Sequence, residues 1–221
     1  MELAPEFGGL IRTRIKICGI TRPEDARAAI HAGADLLGFN LWPGSKRFLR
    51  LEAARDWLSA LPPVAVRVAV LVNPTREEVE RVGRSGCFDA VQFHGKETPE
   101  FCRDLALRGV RAFKALPVHA DAAAVPVARY SDAVILLDSE RAGSFGGTGV
   151  TLDFAVAAAV VARHPGRRIF LAGGLTPANV GEAIRQVRPF GVDVAGGVES
   201  APGIKSGDRI RDFCLAVRRV A

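Results

Sequence analysis

The chain lacks the cysteine pattern of a metal site or a disulfide framework. Its four cysteines, Cys18, Cys87, Cys102 and Cys214, form no Cys-x-x-Cys pair, and its four histidines are scattered. No metal is therefore expected, and the thiols suit a reducing cytoplasm. No apolar run reaches the roughly 20 residues that cross a bilayer. Met1–Thr13 carries acids early, without the basic start and apolar centre of a signal peptide. Neither a membrane partner nor export is expected. Aromatic residues are sparse, at 7%. The formal charge is +6 and the pI about 9.6, yet Lys and Arg are interleaved with Asp and Glu. With no dense basic run and no basic–aromatic interleaving, nucleic acid is not an expected partner. A basic balance equally suits a small anionic substrate.

What the chain has in quantity is apolar residues, 48% of its 221 positions, and glycine, 23 of them. That is enough to build a sizeable core. Strand-length apolar runs recur at 14–18, 35–39, 67–72, 90–93, 110–115, 133–138, 168–172 and 192–195. They alternate little between polar and apolar, as parallel strands buried on both faces do. Helix patterns lie between them, at 24–32, 51–61, after Thr75, after Thr98-Pro99, weakly at 120–129, at 153–163, after Thr176-Pro177 and at 208–220. Thr21/Glu24 and Thr75/Glu78 have capping-box spacing. Thr98 and Thr176 each precede a proline suited to the first helical position.

Eight strand–helix units without a Gly/Ser-rich linker predict one α/β domain, a (β/α)8 TIM barrel of parallel strands and outer helices. It spans residues 14–221, behind a loosely held extension at 1–13. The rival is an open doubly wound sheet, which would place G-x-G-x-x-G after the first strand. Cys18-Gly19-Ile20-Thr21 does not supply it.

Barrel sites form at the C-terminal ends of the strands. Cys18, Asn40, Arg47, Asn73, Gln92, His94 and Asp138 fall there, with Gly173-Gly174 and Gly196-Gly197 after the last two strands. Glycine pairs are tight turns or backbone anion nests. Two at consecutive strand ends favour a phosphate site. Cys18 reads as a small buried hydrophobe or as a base or nucleophile with a nearby cation, and alternation puts Lys16 on its side of the strand. Asp138 ends the run AVILLD. It is a cap, an ion-pair partner or an acid, and a carboxyl group withdrawn from water favours its protonated form. Arg47 is a solvated surface charge or a fork for a carboxylate. Gln92 and His94 bind substrate or orient loops. The segment Gly143 to Gly149 reads equally as a mobile lid or as a loop without a role.

At these residues the chain resembles the phosphoribosylanthranilate isomerase family. The matching motifs are KICGIT at Lys16–Thr21, GAD-x-x-GF at Gly33–Phe39, SKRF at Ser45–Phe48 and VQFHG at Val91–Gly95. Beyond them come LLD at Leu136–Asp138, GGTG-x-T-x-DF at Gly146–Phe154, LAGGLTP-x-N at Leu171–Asn179 and RPFGVDVAGGVE at Arg188–Glu199. The resemblance implies a cofactor-free Amadori rearrangement in tryptophan biosynthesis. N-(5-phosphoribosyl)anthranilate becomes 1-(2-carboxyphenylamino)-1-deoxyribulose 5-phosphate. It implies Asp138 as general acid, Cys18 as general base, Arg47 as holder of the anthranilate carboxylate, and backbone N–H groups at both glycine pairs as the phosphate site. Ala195 and Asn40 depart from the family's usual residues. Other readings are a different phosphosugar isomerase or epimerase, and a non-catalytic phosphate-ligand-binding barrel. Monomer and homodimer are equally compatible with the sequence.

Overall fold

Each apolar run becomes a strand. The computed structural model describes residues 12–118, 120–139 and 152–220. In order, the strands are β1 (Arg14–Cys18), β2 (Leu36–Asn40), β3 (Val66–Leu71) and β4 (Ala90–Phe93). β5 (Ala112–Pro117), β6 (Val134–Asp138), β7 (Ile169–Leu171) and β8 (Gly191–Val194) follow. They pair in sequence order, all parallel, and β8 returns to β1 to close a barrel. Closure leaves the barrel sheet without an exposed edge.

Strand alternation sends one set of side chains into the barrel and the other toward the helices. Leu36, Val68, Ala90, Phe113, Ala115, Leu136, Phe170 and Ala172 form one buried inner cluster. Gly191 makes room for Phe170: a Cβ there would lie 2.4 Å from its ring. The opposite strand faces, with Ile15, Ile17, Leu37 and Phe39 among them, pack with residues of the helices.

Seven α-helices are found among the described residues: α1 (Pro23–His31), α2 (Leu51–Ser59), α3 (Arg76–Arg84), α4 (Pro99–Leu107), α5 (Phe154–Arg163), α6 (Val180–Val187) and α7 (Gly207–Arg218). The Thr75/Glu78 capping box forms in full, and Thr98 accepts from the Phe101 N–H. Three expectations fail. At α1 the cap position is Arg22, not Thr21, because Pro23 takes the first helical position and holds its predecessor extended. The Thr21 hydroxyl donates instead to the Gly203 carbonyl at 2.5 Å. Thr176-Pro177 does not start α6. Thr176 and Asn179 bond each other reciprocally, and the helix begins at Val180. Between β5 and β6 the expected helix is two 3-10 turns, Ala122–Ala124 and Val127–Arg129. Pro126 lies between them, and Val125 before it is extended.

After β8 a short antiparallel hairpin, β9 (Glu199–Ala201) and β10 (Ile204–Lys205), precedes α7. Of the N-terminal extension, Arg12 pairs with Asp35 at 2.6 Å. Residues 1–11 and the glycine-rich 143–149 stretch lie outside the described residues.

Candidate active site

The C-terminal mouth of the barrel collects the unusual side chains. At β1, Lys16 and Cys18 share the inner face. In register Cys18 lies beside Gly38 of β2, and Lys16 lies between Leu36 and Asp193. Gly38 is the space the thiol needs: a Cβ there would sit 2.7 Å from Cys18 Sγ and 3.0 Å from Lys16 Nζ. Lys16 is wholly buried and donates to Asp193 at 2.9 Å. Burial alone would lower the ammonium pKa, but Asp193 and Cys18 outweigh it and push it up to about 12. Cys18 is half-buried. Burial pushes its thiol up, and Asp193 adds to this, while Lys16 and Lys205 oppose. The other three cysteines are buried, as filler residues are.

Arg47 reaches the same place from the β2–α2 loop. Its stem packs on Gly19, whose φ of +75° forms the turn after β1. A Cβ on Gly19 would lie 2.4 Å from Arg47 Cδ. The guanidinium fork is occupied: Nε and Nη2 each donate to Glu199 at 2.7 Å. That bond holds the Arg47 pKa high. Glu199 is buried, which alone would raise it, but Arg47 and Lys205 hold it below the ordinary carboxylate range. Sequence reasoning missed Glu199 and Lys205.

At the ends of β4 and β6 three groups form a chain. Gln92 Nε2 lies 3.1 Å from His94 Nδ1, and His94 Nε2 lies 3.1 Å from Asp138 Oδ2. With the Gln92 amide donating to Nδ1, the ring hydrogen sits on Nε2 and faces Asp138. Gln92 is fully buried, and its Oε1 has no hydrogen-bond partner among the described residues. Such an atom costs about 1–3 kcal/mol when left unfilled.

The two glycine pairs meet. Gly173 and Gly174 turn the chain after β7 with φ of +87° and +67°. Gly196 and Gly197 lie in a 3-10 turn after β8. A Cβ on Gly197 would fall 1.9 Å from the Leu175 carbonyl oxygen, so the turns touch backbone to backbone. Gly197→Ala is expected to destabilise the fold by roughly 1–3 kcal/mol through overpacking. A drop in thermal midpoint relative to the parent checks this. Of the departing residues, Asn40 accepts the Trp42 N–H at 2.9 Å, and the Ala195 carbonyl accepts from Lys205.

With a thiol, a carboxyl group, a guanidinium and two touching glycine turns around its mouth, the closed parallel barrel is of the (β/α)8 enzyme class. The family model for N-(5'-phosphoribosyl)anthranilate (PRA) isomerase matches residues 15–216. The chain belongs to that family. It is 46% identical to the N-(5'-phosphoribosyl)anthranilate isomerase of Trichlorobacter lovleyi over 200 residues, 90% of this chain and 95% of that one. A phosphoribosylanthranilate isomerase solved with reduced 1-(o-carboxyphenylamino)-1-deoxyribulose 5-phosphate is 38% identical, with a TM-score of 0.81, covering 94% and 99% of the two chains. The Thermotoga maritima enzyme, solved as monomers of a dimeric protein, is also 38% identical, with a TM-score of 0.80 and the same coverage.

Proposed function

We propose that this isomerase converts N-(5-phosphoribosyl)anthranilate to 1-(2-carboxyphenylamino)-1-deoxyribulose 5-phosphate by paired acid and base catalysis. The observation that carries the reading is the placement of Cys18 and Asp138 at the same mouth, three strands apart around the ring. Asp138 protonates the furanose ring oxygen. The C1–O bond breaks and the anilino nitrogen's lone pair forms a C1=N Schiff base. The Cys18 thiolate takes the C2 proton, and the electron pair returns to nitrogen to leave an enolamine. The enolamine tautomerises, C1 gaining the proton that the C2 hydroxyl loses. One proton leaves the acid and one reaches the base, so the pair resets through solvent.

The anchors divide between the two ends of the ligand. Arg47 meets the anthranilate carboxylate with the hydrogens Glu199 does not take. The turns at Gly173-Gly174 and Gly196-Gly197 meet the phosphate through backbone N–H groups. Gln92 Oε1 accepts a ligand hydroxyl. His94 steadies Asp138 by its hydrogen bond to Oδ2. The chemistry uses no cofactor. The buried free cysteines support a cytoplasmic setting. Monomer and homodimer both stand, the dimeric relative favouring the second.

The test mixes the protein with N-(5-phosphoribosyl)anthranilate and follows the loss of anthranilate-type fluorescence. No turnover would sink the reading, and tight binding without turnover would favour a non-catalytic barrel. The pH profile is the sharper check. The base must shed its proton first, and burial lifts the thiol above its ordinary range. Because the base must be ionised while the acid stays protonated, the competent form is a small, steady fraction between the two titrations and is lost above that of the thiol, so kcat/KM is expected to fall only beyond about pH 8.5, the ordinary thiol value. A fall that sets in by pH 7 would contradict a thiol base in this setting.

A further inference from the structure

We propose that Lys205 is a positioning residue of this active site, its one ammonium tying together the Cys18 backbone, the turn after β8 and the carboxylate that holds Arg47. Its Nζ donates to the Cys18 carbonyl at 2.5 Å, the Ala195 carbonyl at 3.1 Å and Glu199 Oε1 at 2.9 Å. An ammonium has three donors, and all three are used. The inference rests on the reading above that Cys18 is the base, Arg47 the carboxylate anchor and the turn after β8 part of the phosphate site. It adds that these three are set from a single charge on a hairpin outside the barrel sheet.

The construction is specific. The Lys205 side chain has 0% exposure, and Glu199 has 6%. Glu199 Oε1 receives Lys205, Arg47 Nε at 2.7 Å and the Gly203 N–H at 3.3 Å, while Oε2 receives Arg47 Nη2. The hairpin is fastened at two points, to the β1–α1 turn and to the first turn of α1. Thr21 bonds the Gly203 carbonyl, and the Lys205 N–H donates to Asp25 Oδ2 at 3.1 Å. Asp25 is itself gripped by Arg22 through Nε at 3.0 Å and Nη2 at 2.6 Å. The ammonium is thus held before it holds anything else. Burial pulls Lys205 toward the neutral amine, and Glu199 opposes. A buried cation retained at such a junction does more than a neutral hydrogen-bonding group would, because its charge also favours the thiolate of Cys18.

The test uses the full chain and N-(5-phosphoribosyl)anthranilate. Lys205→Met removes the charge and keeps the length of the stem. A charge-assisted bond in a buried site is worth about tenfold to a hundredfold, so KM is expected to rise and kcat to fall, each by at least about tenfold. The fall of kcat/KM at high pH is expected to move to higher pH. The charged groups around the thiol are Lys16, Asp193, Lys205 and Arg47, and only Lys205 changes. Lys205→Arg, which keeps the charge, is expected to return the pH profile to that of the parent. Glu199→Gln is expected to raise KM about tenfold with kcat within about threefold, since it touches the anchor and not the base.

A Lys205→Met protein with parental KM, kcat and pH profile and only a lower melting temperature would overturn the proposal. If that variant does not fold, Glu199→Gln decides the matter, and an unchanged KM overturns it. Failure of the functional reading looks different, because the parent itself would then show no turnover.

Discussion

Replacing Cys18 by alanine is expected to lower kcat by about 10²–10⁴-fold, the range for a positioned proton-transfer group, while KM stays within about threefold of the parent. The split follows from what the thiol touches. Its surroundings are Lys16, Gly38 and the charges of Asp193, Lys205 and Arg47, whereas in the proposed mechanism the ligand's anionic ends are carried by the Arg47 fork and the glycine turns. On the proposed mechanism, removing Sγ takes away the acceptor of the C2 proton and leaves both anchors in place. The variant is expected to fold, because the lost atom is small and Lys16 keeps its bond to Asp193. Steady-state kinetics on N-(5-phosphoribosyl)anthranilate, with circular dichroism to establish folding, measures the split. Turnover within tenfold of the parent would remove Cys18 from the base role.

The second large effect belongs to Asp138→Asn. An amide of the same shape still fills the end of β6 and still accepts from His94 Nε2 through its oxygen, but it has no proton to give. Ring opening is the step that needs that proton. The expected loss in kcat is again about 10²–10⁴-fold. In addition, the variant is expected to hold the closed-ring substrate unreacted, which single-turnover fluorescence detects as quenching without the subsequent change. Combining both substitutions is expected to cost less than the product of the two effects, since groups acting on one reaction path are not additive. Full activity in Asp138→Asn would transfer the acid role elsewhere, with His94 the nearest group on the described chain.

Much of this was readable from the chain because parallel barrels write themselves plainly. Strands buried on both sides appear as short apolar runs, and all eight were placed to within about two residues of the observed strands, the margin at which such boundaries are usually fixed. Alternation alone put Lys16 and Cys18 on one side of β1, and Gly38 confirms it by lying against both. The helix caps were legible where the threonine directly precedes the helix, as at Thr75 and Thr98, and misleading at Thr21, where Pro23 moves the start by one residue. The stretch 120–129 is rich in alanine, yet Pro126 interrupts it, and composition outweighed that single breaker in the prediction.

The network around Arg47 was not legible. Arg47 and Glu199 are 152 positions apart, and Lys205 lies on a two-residue strand with no periodicity to announce it. Charged residues in hairpins after the last strand read as solvated surface, and only closure of the barrel brings this hairpin against β1. Gln92 and His94 were legible as strand-end residues, but their connection to Asp138 depends on β4 and β6 facing one another across β5, which sequence spacing does not express.

The occupied fork of Arg47 has a consequence for how a ligand arrives. Around the thiol, the cations Arg47, Lys16 and Lys205 are matched by the carboxylates Glu199 and Asp193. A single positive charge is left over in a place where, on the proposed mechanism, an aromatic carboxylate and a phosphate bind. Such a site exerts little pull at a distance, and much of what it exerts fades beyond about 10 Å at ordinary ionic strength. The rate of capture should therefore vary little with added salt. Stray inorganic anions, which collect on bare guanidinium groups, find the best donors of this one already taken, so discrimination rests on a ligand long enough to reach both ends of the mouth at once.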